Sequence, residues 1–146
     1  MSNKIILLIE DNPDDEALTL RALRKNDIHC EVRVVRDGQE ALDYFFGEQW
    51  PPNPFPAVVL LDLMLPKVNG LEILERLRAD KRTSLQPVVI LTSSKEEQDI
   101  VKGYKLGANS YIRKPVDFTQ FTEAVRQLGL YWLVINETPP SSQGMA

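Results

Sequence analysis

At 146 residues the chain has room for one globular domain and little more, and 43% hydrophobic with 26% charged residues excludes a disordered chain. A single cysteine, Cys30, and a single histidine, His29, exclude an internal disulfide, a multi-cysteine metal site and His-rich ligation. Seventeen basic against 21 acidic residues leave a net charge of −4, which gives no support to nucleic-acid or anionic-membrane binding.

The N-terminal Met-Ser-Asn-Lys runs at once into an apolar segment, Lys4 to Glu10, that reads as a buried strand. It is far shorter than the roughly 18 to 20 residues of a bilayer span. Acids follow it where a signal cleavage site would need small residues, so the protein is expected in the cytoplasm. Asn12 can cap a first helix, with Pro13 at its first position and Asp14 and Asp15 against the positive helix end. Ala17, Leu20 and Leu23 mark its apolar face. Cys30 to Val35 is the second strand, with His29 in the preceding turn and Cys30 as a small core residue. Asp37 with Glu40 forms a capping-box pattern for a helix over Gln39 to Phe46.

Gly47 to Pro56 holds four of the ten prolines and is expected to be a loop crossing back to the third strand, Ala57 to Asp62. Asn69 can cap a helix carrying Leu71, Leu74 and Leu77. Val88 to Thr92 is the fourth strand. Ser94 with Glu97 opens a helix that ends before Gly107. Ser110 to Ile112 is a short fifth strand. Asp117 with Gln120 opens a last helix bearing Phe118, Phe121, Val125, Leu128 and Trp132 in steps of three and four. Residues 1–136 are expected to form one domain, and 137–146, with Pro139-Pro140 and two serines, a disordered tail. Strands apolar on both faces, alternating with helices, predict a doubly wound α/β domain with a five-stranded parallel sheet flanked by five helices.

In such sheets functional groups gather beyond the carboxyl ends of the strands. Those ends carry Glu10 and Asp11, Asp62, Thr92 and Lys114. Taken singly, the acid pair and Asp62 read more readily as turn residues, Thr92 reads equally well as one, and Lys114-Pro115 says almost nothing. Together they place three carboxylates, a hydroxyl and an ammonium at one crevice. Clustered carboxylates repel one another unless a cation sits among them, and hard oxygen donors select Mg²⁺ or Mn²⁺. A carboxylate beside such a metal can attack phosphorus and form an acyl phosphate. Metal, ammonium and hydroxyl can then each neutralise one phosphoryl oxygen.

Leu8-Ile9-Glu10-Asp11-Asn12, Leu60-Leu61-Asp62-Leu63-Met64-Leu65-Pro66 with Gly70, Ile90-Leu91-Thr92-Ser93 and Lys114-Pro115 resemble the receiver domain of two-component response regulators, over about residues 4 to 132. More narrowly, Glu-Asp-Asn-Pro-x-Asp, the long loop before strand three, Gly-Ala-Asn-Ser-Tyr-Ile-x-Lys-Pro and the late Tyr-Trp-Leu are similar to the small stand-alone response regulators of cyanobacterial phytochromes. The resemblance implies a flavodoxin-like receiver fold with strand order 2-1-3-4-5, which the alternation allows. It implies Asp62 as phosphoacceptor; Glu10, Asp11, Asp62 and the backbone carbonyl of Met64 as Mg²⁺ (or Mn²⁺) ligands; Thr92 and Lys114 on the phosphoryl oxygens; and Tyr111 as the aromatic switch. Glu10 stands where the family commonly has aspartate, and its longer side chain can still reach a metal. The donor would be a sensor histidine kinase, a phytochrome by the narrower resemblance. The product would be a phosphoprotein that dephosphorylates itself slowly, not a turnover enzyme.

About fourteen residues follow Trp132, too few to fold alone, so output is expected through contact with a downstream protein or onward phosphotransfer. An aspartate-nucleophile phosphatase would need an Asp-x-Asp motif after the first strand, and Glu-Asp-Asn stands there. A flavin-binding domain would need a Ser/Thr/Gly-rich phosphate loop in place of Asp11-Asn12-Pro13-Asp14-Asp15. A pseudo-receiver adaptor, independent of phosphorylation, would not need the full residue set. The run Leu128 to Ile135 is apolar nearly all round, more than one domain can cover. A homodimer through Phe121, Tyr131, Trp132 and Leu133 is therefore expected, against packing of that run onto its own domain.

Overall fold

Runs that are apolar on both faces become strands where helices cover both sides of a sheet. In the computed structural model, which describes residues 5–25, 31–47, 55–63 and 65–92 together with 104, 105, 107, 108, 110–113, 119, 123, 126 and 127, five strands pair, and the central ones are runs of this kind. They are β1 (Ile5–Ile9), β2 (Glu31–Val35), β3 (Val58–Leu61), β4 (Val88–Thr92) and β5 (Ser110–Arg113). All neighbours are parallel, in the order β2-β1-β3-β4-β5. Three helices are described: α1 (Pro13–Lys25), α2 (Gly38–Phe46) and α3 (Gly70–Ala79). The helices expected after β4 and β5 fall mostly outside the described residues, although Tyr104, Lys105, Thr119, Glu123, Arg126 and Gln127 are helical. No described helix is long and apolar enough to cross a membrane.

The period-two alternation of the central strands divides the core between two faces. Ile6, Leu8, Val58, Leu60, Val89 and Leu91 pack with Ala22 and Leu23 of α1. Leu7, Ile9, Val59, Leu61, Val88 and Ile90 pack with Ala41, Leu42 and Phe45 of α2 and Ile73, Leu74 and Leu77 of α3. Each fully buried Leu or Ile contributes about 1.5–3 kcal/mol, so these two layers dominate the stabilisation.

Local capping fixes the helix starts. Asn12 Oδ1 accepts from the N–H groups of Asp14 (2.8 Å) and Asp15 (3.1 Å). Asp37 Oδ1 accepts from Glu40 N–H at 2.8 Å, and Asn69 Oδ1 from Glu72 N–H at 3.0 Å. Three expectations need correction. The buried face of α1 is Thr19, Ala22 and Leu23, while Ala17 is exposed. Helix α2 begins at Gly38, one residue early, and Glu40 reaches back to Arg36 N–H at 3.3 Å rather than to the cap itself. Strand β2 lies at the sheet edge, and its residues are half-buried or exposed rather than covered on both faces. The chain leaves β1 to one side for β2 and returns on the other for β3. This switch point opens a crevice at the carboxyl ends of β1 and β3.

Candidate metal and phosphoacceptor site

Residues just past two adjacent parallel strands are held as closely as the strands themselves, about 4.8 Å apart. Ile9 pairs with Leu61 at the ends of β1 and β3, so the next residues, Glu10 and Asp62, emerge side by side. The backbone ladder continues one step beyond the strands: Glu10 N–H donates to Val35 O (3.0 Å) and Asp62 N–H to Ile9 O (3.1 Å). Glu10 is fully buried and Asp62 is 6% exposed, whereas Asp11 faces solvent. Carboxylate oxygens of Glu10, Asp11 and Asp62 all lie within 4.8 Å of one another. Glu10 Oε2 also accepts a 3.3 Å hydrogen bond from Asn12 N–H, which aims it across the first turn of α1.

Three like charges so close, two of them out of water, call for a compensating cation. The donors are hard oxygens from three separate side chains. They fit a small divalent ion that keeps part of its water shell, and offer nothing to a soft metal.

The strands also place the other expected residues. Thr92 ends β4, beside β3, at the same edge of the sheet as Asp62. Tyr111 lies in β5 opposite Ile90. Met64, Lys114 and the expected interface residues Phe121, Tyr131, Trp132 and Leu133 lie outside the described residues.

Glycine contacts shape the crevice in a way the sequence did not announce. A Cβ on Gly70, the first residue of α3, would sit 2.4 Å from Asp62 O and 2.7 Å from Leu63 Cα. Gly70 N–H donates to Leu63 O at 3.1 Å, folding the loop after Asp62 back on itself. Gly38 stands in a similar relation to the same loop, with a Cβ position 2.0 Å from Val68 O. The signal was present as Asp37-Gly38 at a helix start and Asn69-Gly70 at another, but it reads as capping alone.

The sequence model of the response regulator receiver domain family matches residues 6–126. Response regulator Rcp1 of Synechocystis sp. is 33% identical over 131 residues, 89% of this chain and 89% of Rcp1. The Mn²⁺-bound form of Rcp1 matches the fold with a TM-score of 0.84 at 32% identity, covering 93% of this chain and 99% of that one. The phosphorylated cyanobacterial phytochrome response regulator RcpA gives a TM-score of 0.86 at 37% identity, over 94% of this chain and 99% of that one. Bacteriophytochrome response regulator RtBRR is 51% identical over 98% of this chain and 88% of its own, with a TM-score of 0.75. Sheet order, acid cluster and these matches agree: the chain belongs to the response regulator receiver domain family.

Proposed function

We propose that the protein is a response regulator that accepts a phosphoryl group on Asp62 from the phosphohistidine of a sensor kinase, with a phytochrome as that kinase. The observation that carries the reading is the meeting of Glu10, Asp11 and Asp62 at the paired ends of β1 and β3. Matches to RcpA and RtBRR support the phytochrome link.

A carboxylate oxygen of Asp62 attacks phosphorus, the P–N bond breaks, and its electron pair returns to the imidazole, leaving an acyl phosphate on Asp62. Glu10, Asp11, Asp62 and the Met64 carbonyl would hold Mg²⁺, which when bound draws charge from the phosphoryl oxygens. Thr92 and Lys114 take the remaining oxygens, and Tyr111 responds by changing rotamer. Asp62 is nearly excluded from water, which strengthens every charge interaction of its carboxylate. The phosphorylated domain, residues 1–136, works in the cytoplasm, hydrolyses its own phosphate slowly and signals by contact with a downstream protein. A homodimer through Phe121, Tyr131, Trp132 and Leu133 presents that contact.

Asp62→Asn separates this reading from a phosphorylation-independent adaptor, and turnover of a small phosphomonoester separates it from a phosphatase. Labelling by acetyl phosphate should require Mg²⁺ or Mn²⁺ in the wild type and vanish in the variant. Equal labelling of both proteins would refute Asp62 as acceptor. Sedimentation of wild type and Trp132→Ala at micromolar concentration tests the dimer, which a monomer in both would exclude.

A further inference from the structure

The turn between β2 and α2, Val35 to Gly38, carries none of the acids of the site, yet it is bonded to both loops that do. On one side Val35 O accepts the N–H of Glu10 at 3.0 Å. The Arg36 guanidinium grips Glu16 in the first turns of α1 through two parallel bonds, Nε to Oε1 at 3.1 Å and Nη2 to Oε2 at 2.9 Å. On the other side the Asp37 carboxylate meets Lys67 Nζ at 3.3 Å. Gly38 N–H donates to Pro66 O at 3.2 Å. Lys67, between those two bonds, has φ +70°, a conformation that costs an L-residue about 1–2 kcal/mol unless its surroundings impose it.

The four contacts are not equal. Arg36 and Lys67 are largely exposed, so their ion pairs are screened and individually weak. The approach of Gly38 is not screened. A Cβ there would lie 2.0 Å from Val68 O and 2.5 Å from Val68 Cβ, so only glycine lets the start of α2 lie directly on the β3–α3 loop. Backbone contact at Gly38 is thus the stronger hold on the loop, and the Asp37–Lys67 pair adds a weaker one.

The geometry points to a clamp: beyond the β1–β3 pairing that sets Glu10 beside Asp62, the Val35–Gly38 turn holds the β1–α1 and β3–α3 loops so that Glu10, Asp11 and Asp62 can share one divalent cation, with Gly38, Asp37 and Lys67 as positioning residues. This inference rests on the reading of those acids as a metal-dependent phosphoacceptor site.

Three variants test it in the full chain, read by Mg²⁺ titration of the backbone amide signals of Glu10 to Asn12 and Asp62, and by thermal unfolding. Lys67→Gly removes the ammonium and relieves the positive φ, so it keeps the fold. Asp37→Asn keeps an oxygen to cap Glu40 N–H but loses the charge. Each should weaken Mg²⁺ binding about two- to fivefold, the size of one exposed pair, with the unfolding midpoint within about 4 °C of wild type and its shift not tracking the affinity loss. Gly38→Ala should weaken it more than about tenfold where the protein folds; if it does not fold, the other two variants carry the test. Wild-type affinity in both Lys67→Gly and Asp37→Asn overturns the clamp. So does an affinity loss that merely follows a loss of thermal stability. A wild type that binds no Mg²⁺ overturns the reading of the acid cluster itself, and the clamp with it.

Discussion

At its amino end, α3 starts on Gly70, pressed against the carbonyl of Asp62, and the loop before it is closed by backbone bonds such as Gly70 N–H to Leu63 O. At its carboxyl end the same helix is fastened by side chains. Arg78 donates to Gly107 O at 2.7 and 3.3 Å and to Ser84 O at 3.1 Å. Thr83 Oγ1 donates to Leu77 O at 2.6 Å. Gln86 Nε2 donates to Pro56 O (3.0 Å) and Pro87 O (3.1 Å). The contrast lies in what packs at each end. Beside Asp62 backbone packs on backbone and glycine is required, which on the proposed function leaves the side-chain space there to a cation and a phosphoryl group. At the far end long polar side chains fill the gaps and bond to carbonyls, among them the buried acceptors of Thr83 and Gln86.

The largest expected effect lies at the amino end. Gly70→Ala forces a Cβ into the Asp62 carbonyl and the Leu63 backbone, neither of which can rotate away. Urea unfolding should show a loss of about 3 kcal/mol, the upper range of overpacking costs. Phosphoryl labelling of the folded fraction should fall as well, because Asp62 itself is displaced. Wild-type stability in this variant would show that the loop yields freely and would dissolve the contrast.

At the carboxyl end the effects should separate. Arg78→Met keeps much of the half-buried stem but strips the donors from Gly107 O and Ser84 O. It should cost about 1 kcal/mol, since charge-assisted bonds are lost but Gly107 O lies open to water that can replace them. Mg²⁺ affinity and labelling should stay at the wild-type level. A fall in labelling at constant fold would mean that the two ends of α3 communicate.

The same contrast explains what was legible in the sequence. The acids Glu10, Asp11 and Asp62 could be found because each follows a strand that announces itself by composition. The caps Asn12, Asp37 and Asn69 could be found because a cap and its target are three residues apart or fewer. The buried face of α1 was misread because counting apolar residues picks Ala17 and passes over Thr19, a polar residue that is nonetheless fully buried. The clamp and the far fastenings were not legible at all. Arg78 and Gly107 are 29 positions apart, and Gln86 and Pro56 are 30 apart. Only the sheet order brings such residues together, and no local period encodes it. Thr92 and Tyr111 fall in β4 and β5 as their strand-like flanks suggest.

The smallest expected effect distinguishes the two ends by how their carboxylates are held. Near the site, Asp37 is kept below the usual carboxylate range first by the N–H of Glu40, and only then by Lys67. At the far end, Asp80 is kept low first by the Arg82 side chain, which grips it through Nε (3.0 Å) and Nη2 (2.8 Å), and then by the Arg82 N–H. In both cases the folded state favours the charged form. The stabilisation is therefore complete above the pKa of an unfolded aspartate and lost as pH falls through the lower folded value, below about pH 4. Both carboxylates are partly exposed and their cationic partners more so, so salt should act on the part that comes from a cation and leave the part that comes from a neutral N–H. Carboxyl NMR titrations in low and high salt should then show both midpoints depressed, with Asp80 moving back toward the ordinary value more than Asp37. Equal movement would show that Lys67, not the helix cap, governs Asp37.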